Sequence, residues 1–120
     1  MDFINIEQMI QVFANEYCYP SSIVLVYGNI DEIELIKYHF KFITSEVISI
    51  DTSPGKNVDI VVSNNLLPFE KHSFDLIISF KDTHPDFRRV LKQDGNLLIP
   101  GVVIDAFDIY SIGEQMFSVT

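Results

Sequence analysis

Hydrophobic residues at the start of the chain recur at helical spacing as far as Tyr17. The gaps between them alternate between three and four residues, which places them on one face of an amphipathic helix. These positions are Phe3, Ile6, Ile10, Phe13 and Tyr17. Asp2 can cap the start of this helix and Pro20 closes the segment, so a helix is predicted over residues 1–19.

The pattern changes to continuous apolar runs after Pro20. Residues 23–27 have the sequence IVLVY, without the alternation of a half-exposed strand. Such runs are typical of strands that are buried on both faces of a parallel sheet. Further strands are predicted at residues 47–50, 58–62, 74–79 and 97–99.

Helical spacing returns between the first two strands. One apolar face follows Asp31, at Ile33, Ile36, Phe40 and Ile43. Near the end of the chain, a helix is predicted over residues 103–109 and a strand over residues 116–119.

A short helix is predicted between the fourth and fifth strands. Thr83 stands near its cap, Pro85 lies in its first turn, and Leu91 is expected on its inward face. Asp94 and Gly95 are expected to end this helix and to open the fifth strand. Strands alternating with helices predict an α/β fold with a Rossmann-like, mainly parallel sheet, flanking helices and right-handed crossovers.

Polar residues follow four of the predicted strands at one edge of this sheet. Ligands of such sheets bind at the carboxyl ends of the strands. The candidate binding residues there are Tyr27, Gly28, Asn29, Asp51, Asn64, Asn65 and Ser79. Asp51 can accept hydrogen bonds from both ribose hydroxyls of a nucleotide, or it can cap the turn that follows it. The two asparagines are also ordinary turn residues.

Length and composition fit one domain with its own core. The chain has 120 residues, and 48% of them are hydrophobic. The net charge of −9 repels phosphate backbones, so nucleic-acid binding is not expected; the densest basic spot is Arg88, Arg89 and Lys92. No apolar run approaches the roughly 18 residues of a membrane span. The start of the chain has no basic region, so a signal peptide is not expected.

Two stretches of sequence carry a family resemblance. Residues 67–79, LPFEKHSFDLIIS, resemble a pattern in which "LPF", a polar turn and "SFD" precede the fourth strand. Residues 87–99, FRRVLKQDGNLLI, are similar to the helix, turn and strand pattern "RVLKPGG-LLI". Either stretch alone could be only a strand or a helix end. In this order, after two earlier strand–helix units, they resemble the class I S-adenosylmethionine-dependent methyltransferases of type 11.

The resemblance covers residues 23–100 and implies a minimal, truncated version of that fold in a single domain. Residues 1–19 would be an N-terminal helix, and residues 101–120 a shortened C-terminal part. The cofactor would be S-adenosylmethionine, held by the loop at Gly28, with Asp51 on its ribose and Asn64 or Asn65 on its adenine. The loop departs from the family pattern, because Val26 replaces the usual acid and Ile30 and Glu32 stand where small residues are expected.

Two functions from different classes follow from the resemblance. One is a methyltransferase that transfers a methyl group from S-adenosylmethionine to an unknown acceptor. The other is a catalytically inactive methyltransferase-like module that acts as a scaffold or partner subunit, bound to another protein or to a second copy. An NAD-dependent dehydrogenase is less favoured because the G-x-G-x-x-G spacing is lacking. A phospho-receiver domain is disfavoured because no acidic pair ends the first strand.

The remaining reactive side chains give weaker indications. His84 lies in a loop where a catalytic base could face a substrate, although a loop histidine is more often simply solvated. The three histidines are too dispersed in sequence to suggest a metal site. The single cysteine, Cys18, can form no intrachain disulfide and is interpreted as a structural thiol, which favours a reducing, cytoplasmic location.

Overall fold

The computed structural model of the chain describes residues 22–28, 31, 33–40, 46–81 and 83–99, and the backbone of residues 102–105. Its strands form one six-stranded sheet in the order β3-β2-β1-β4-β5-β6. The strands are β1 Ile23–Tyr27, β2 Glu46–Asp51, β3 Ile60–Val61, β4 Phe74–Ser79, β5 Leu91–Ile99 and β6 Val102–Asp105. The described helices are α1 Ile33–Phe40 and α2 Phe87–Val90.

Neighbouring strands from β3 to β5 are parallel, and β6 is antiparallel to β5. The predicted α/β fold with a mainly parallel sheet is therefore confirmed. The predicted helix over residues 1–19 lies outside the described residues, as do Ile30, Glu32 and Ile43.

The core lies on both faces of the central strands β1 and β4. Val24 and Val26 are fully buried on one face, where they pack in a cluster with Ile36 and Phe40 of α1. Leu25 belongs to the cluster on the other face. This alternation explains why the strand has no polar positions, because both of its faces are covered.

The short helix before β5 ends earlier than predicted. Leu91 was expected inside the helix, but its backbone is extended (φ −80°, ψ 134°) and it pairs with Phe74 of β4. Gly95 was expected to end the helix, but it lies within β5. A Cβ built on Gly95 would lie 2.7 Å from Leu91 Cδ1 and 2.8 Å from the carbonyl oxygen of Asp75. Close packing against β4, rather than a helix end, explains this glycine.

Two other predicted elements also differ. The third strand is limited to Ile60–Val61, because the Val58 N–H closes a turn by donating to the carbonyl oxygen of Gly55 at 3.1 Å. The helix predicted from residue 103 is wrong for residues 103–105, which belong to β6 and pair with β5. The rest of that helix and the strand at residues 116–119 lie outside the described residues.

Candidate functional site

The carboxyl ends of β1, β2 and β4 bring four of the predicted site residues together. Tyr27 is in register with Ser79 of β4 on one side and with Ile50 of β2 on the other. The Gly28 N–H donates to the carbonyl oxygen of Ile50 at 2.9 Å, which holds the start of the loop beside Asp51. Asn29, the next predicted site residue, lies outside the described residues.

Gly28 needs the backbone freedom that a residue without a Cβ has. Its φ is 129°, in the region that residues with a Cβ rarely adopt. The turn out of β1 therefore depends on a glycine, as expected for a loop in which the backbone approaches a ligand or a neighbouring strand.

Asp51 is buried and accepts two short hydrogen bonds through one oxygen. Its Oδ1 atom lies 2.6 Å from the backbone N of Thr52 and 2.7 Å from Nζ of Lys81. The first bond is the turn cap that the sequence suggested as one role for this residue. The second, an ion pair with a lysine 30 positions away, was not predicted.

A tight turn after β4 places Lys81 over the site. The Ser79 hydroxyl donates to the carbonyl oxygen of Lys81 at 3.0 Å, which folds the chain back at the end of the strand. The Lys81 ammonium group lies 5.0 Å from the centre of the Tyr27 ring, within the range of a cation–π interaction. In the sequence, the only sign of this contact is a lysine two positions after β4. The sign becomes informative once the strand order is known, because β1 then lies between β2, which ends at Asp51, and β4.

The Lys81 side chain is held as a cation. Its hydrogen bond to Asp51 raises the pKa of the ammonium group; partial burial opposes this shift, and the negative charge of Asp51 adds to it. About two fifths of the side chain is exposed, so it reaches the site from its open side.

Asn64 and Asn65 lie in an exposed turn after β3. The neighbouring Ser63 organises this turn: its hydroxyl donates to the carbonyl oxygen of Leu66 at 2.8 Å and accepts from the Leu66 N–H at 3.1 Å. The Asn65 N–H lies 3.4 Å from the same hydroxyl. Both asparagines thus follow the third strand at the predicted edge, on an open turn.

His84 is buried, so its interpretation as a solvated loop residue is wrong. Only 4% of it is exposed, and its ring packs edge-on against Tyr27 at 5.8 Å. Nδ1 accepts the Asp86 N–H at 3.0 Å, and Nε2 lies 2.8 Å from the carbonyl oxygen of Ser63, so Nε2 carries the proton that is donated there. With both nitrogens engaged, His84 connects the turn after β3 to the α2 segment and is not poised as a base.

The described residues offer neither a metal cluster nor a membrane-spanning helix. Among them, no three His, Cys, Asp or Glu side chains are grouped as they would be around a metal ion. The described helices include none that is long and apolar enough to cross a membrane.

Comparisons with known proteins agree with this architecture at the level of the fold. Neither protein-family models nor curated protein sequences gave a match to the chain. Among solved structures, the YcgJ protein from Bacillus subtilis aligns over 77% of this chain and 49% of its own, with 23% identity and a TM-score of 0.59. A chain from the complex between the Haloferax volcanii Trm112 methyltransferase activator and a candidate methyltransferase aligns over 78% of this chain and 56% of its own, with 12% identity and a TM-score of 0.51.

The chain thus spans about half the length of the solved structures that it matches. Identities this low report on the fold and not on the activity. The finding they support is that this chain has a compact α/β fold resembling methyltransferase-like structures.

Proposed function

We propose that this chain is a methyltransferase-like module that does not use S-adenosylmethionine and acts as a scaffold or as the partner subunit of a larger assembly. The ion pair between Lys81 and Asp51 carries this proposal. The family resemblance assigns Asp51 to the cofactor ribose, yet its Oδ1 atom already accepts from Lys81 Nζ at 2.7 Å and from the Thr52 N–H at 2.6 Å. A ribose hydroxyl could bind this oxygen only by displacing the ammonium group.

The charge of Lys81 opposes this cofactor as well. S-adenosylmethionine carries a sulfonium cation, and two cations repel each other strongly in a partly dry site. The ammonium group lies 5.0 Å from the centre of the Tyr27 ring, so its positive charge is held at this edge of the sheet. The residues present at this edge therefore do not fit the cofactor in the arrangement that they adopt.

The loop after β1 supports the same conclusion from sequence. Gly28 is the only residue there that matches the glycines of the family, and Ile30 and Glu32 replace small residues. Side chains of this size obstruct the close backbone approach that a glycine-rich loop provides.

A thermal-shift titration with S-adenosylmethionine and S-adenosylhomocysteine tests the proposal. A ligand present at about 100 times its Kd would stabilise the fold by about 2.7 kcal/mol, a shift that is readily measured. We expect no saturable shift for the wild-type chain at millimolar ligand. A saturable shift that disappears in Asp51→Ala would instead establish a cofactor site and contradict the proposal.

Cofactor binding by an active methyltransferase is the second candidate, because Asp51 is buried at the end of β2 and Gly28 adopts a positive φ. Lys81 would then have to swing out. Lys81→Ala distinguishes the two cases, with Lys71→Ala as the control that removes a positive charge from an exposed side chain before β4, at the opposite end of that strand. A thermal shift with cofactor that is gained only in Lys81→Ala would identify the lysine as the obstacle to cofactor binding. No shift in either variant would indicate that the loop after β1 prevents binding as well.

The edge strand β3 supports a role in assembly. Ile60 and Val61 are both exposed, Val61 to 53%, and exposed apolar edge strands are sites of pairing with other chains. A partner or a second copy that adds a strand would cover them. Light scattering over a range of concentrations, on the wild-type chain and on Val61→Lys, tests self-association: a dimer that the charge abolishes would identify a second copy as the occupant of this edge.

A further inference from the structure

One exposed serine stands apart from the other serines that the structure describes. Hydroxyl groups of four of them donate to backbone carbonyl oxygens, namely those of Ser49, Ser63, Ser73 and Ser79. A further one, Ser22, is buried. Ser53 lies in the bend directly after β2, is exposed, and makes no hydrogen bond through its hydroxyl group in the described part of the chain. This hydroxyl group is therefore open to modification.

The sequence after Ser53 has the pattern that proline-directed protein kinases phosphorylate. Residues 53–56 are Ser, Pro, Gly and Lys, with the proline directly after the serine and the lysine two positions after the proline. A proline suits this place because a kinase that closes over the serine leaves the next backbone N–H without a partner, and proline has no N–H. The lysine adds a positive charge that can pair with anionic groups of the kinase.

The bend presents this pattern to solvent. Ser53 and Pro54 are exposed, and the side chain of Lys56 is 82% exposed. The contact between Lys56 and Asp31, at 3.9 Å between two exposed side chains, contributes little to stability and is readily given up. Residues 53–56 belong to no helix or strand, so a kinase can bind them without opening the sheet.

The same bend lies beside the ammonium group of Lys81. Oγ1 of Thr52 lies 3.4 Å from Lys81 Nζ, and Ser53 is the next residue. In the unmodified chain this ammonium group pairs with Asp51 at 2.7 Å. A phosphoserine carries about −1.5 to −2 charges at pH 7 and three acceptor oxygens, so it competes for a nearby cation with the single charge of a carboxylate.

We propose that Ser53 is a phosphorylation site of a proline-directed protein kinase, and that its phosphate group pairs with Lys81 in competition with Asp51. In the transfer, the Ser53 oxygen forms a bond to the terminal phosphorus of a nucleoside triphosphate, and the bond from that phosphorus to the bridging oxygen breaks. The hydroxyl proton passes to a basic group of the kinase, and the nucleoside diphosphate leaves. The modification would regulate the ion pair on which the proposed function rests, and it is tested without S-adenosylmethionine, so the two proposals fail separately.

The first test treats the full chain with a purified cyclin-dependent kinase and labelled ATP, and locates the phosphate by mass spectrometry. We expect incorporation at Ser53 that Ser53→Ala abolishes. Pro54→Ala should slow it about tenfold, the effect of one backbone N–H buried without a partner. Thr83→Ala is the matched control, because Thr83 is exposed but is not directly followed by proline, and it should leave incorporation unchanged.

Two results would overturn the phosphorylation site. One is no incorporation at Ser53, and the other is incorporation that Pro54→Ala leaves as fast as in the wild type. Thermal unfolding of each variant verifies that a change in rate is not a change in folding.

The second test follows the phosphate group of the modified chain by ³¹P NMR over a series of pH values. A neighbouring ammonium group favours the doubly charged phosphate, so its second pKa should lie below the usual value of about 6. The decisive comparison is between Asp51→Asn and the double variant Asp51→Asn with Lys81→Gln, because neither leaves an unpaired carboxylate beside the phosphate. The double variant should have the higher phosphate pKa.

Asp51→Asn combined with Lys71→Gln is the control, since Lys71 is exposed at the other end of β4, and it should match Asp51→Asn alone. Equal phosphate pKa values with and without Lys81 would overturn the pairing. A phosphate pKa of about 6 in the otherwise wild-type chain would overturn the competition, because Asp51 would then retain the lysine.

Discussion

Arg89 holds Asp86 through two nearly parallel contacts, from Nε to Oδ1 at 2.8 Å and from Nη2 to Oδ2 at 2.6 Å. The same carboxylate accepts the Leu67 N–H at 2.7 Å, and the guanidinium donates to the carbonyl oxygens of Leu67 and Phe69. This pair therefore ties together the two stretches that carry the family resemblance, residues 67–79 and residues 87–99.

Asp86→Asn should destabilise the fold by about 2–3 kcal/mol, because it leaves the partly buried Arg89 without its counter-charge. Urea unfolding of the variant and the wild type measures the difference. Asp94→Asn, an acid on the exposed part of β5, is the control and should change stability by less than about 0.5 kcal/mol. A loss in Asp86→Asn no larger than in the control would show that the pair contributes nothing to stability.

The Asp86 pair should also make stability depend on pH in the acid range. Burial opposes the charge of Asp86, but the hydrogen bonds from Arg89 and from the Leu67 N–H outweigh it and lower the pKa of the carboxyl group. A carboxyl group whose pKa is lower in the folded state stabilises the fold above its unfolded pKa of about 3.9, and this contribution is lost as the pH falls through the folded pKa.

We therefore expect the stability difference between the wild type and Asp86→Asn to be constant between pH values of about 5 and 7, and to shrink below about 4. Urea unfolding at a series of pH values measures it. The Asp59 carboxylate behaves similarly: burial opposes its charge, yet the Ser49 N–H and Lys37 lower its pKa. Both proteins keep Asp59, so its contribution to the pH dependence cancels when the stability of Asp86→Asn is subtracted from that of the wild type. A difference that grows on acidification would mean that folding raises the pKa of Asp86 instead of lowering it.

Local sequence patterns predicted the two central strands well, because those patterns report burial. Strands β1 and β4 have the predicted bounds, 23–27 and 74–79, since continuous apolar runs suit strands covered on both faces. Asp51 was likewise expected at the end of the second strand, where it lies. What could not be predicted depends on contacts distant in sequence. Lys81 reaches Asp51 across 30 positions, and nothing near Lys81 in the sequence indicates that partner.

The misplaced helix end has the same origin. Asp94 and Gly95 form a common turn sequence, and α2 with its following residues has a helical pattern of apolar positions as far as Leu91. Pairing with β4 overrides that local preference, because extended residues from Leu91 onward form backbone hydrogen bonds with the edge of β4. The glycine is explained by its packing against Leu91 and Asp75, which only the three-dimensional arrangement reveals.

Gly95→Ala should therefore destabilise the fold by about 1–3 kcal/mol through overpacking. The added methyl group would lie 2.8 Å from the carbonyl oxygen of Asp75, which is backbone and cannot rotate away, and 2.7 Å from Leu91 Cδ1. Thermal unfolding measures the loss, and Asp94→Ala serves as the neighbouring exposed control. If Gly95→Ala is as stable as Asp94→Ala, then β5 does not pack against β4 in the register described.

The Tyr27 ring should be needed for its faces and edges more than for its hydroxyl group. It lies under Lys81 at 5.0 Å, and it packs edge-on against His84 at 5.8 Å and against Phe87 at 5.5 Å. Tyr27→Phe keeps these ring contacts, so the loss of stability should stay below about 1 kcal/mol, whereas Tyr27→Leu removes them and should cost about 2 kcal/mol or more. Chemical unfolding of the two variants compares them under identical conditions. Equal losses of stability in the two variants would mean that Tyr27 acts through its hydroxyl group. The contact between its ring and Lys81 would then contribute nothing to stability.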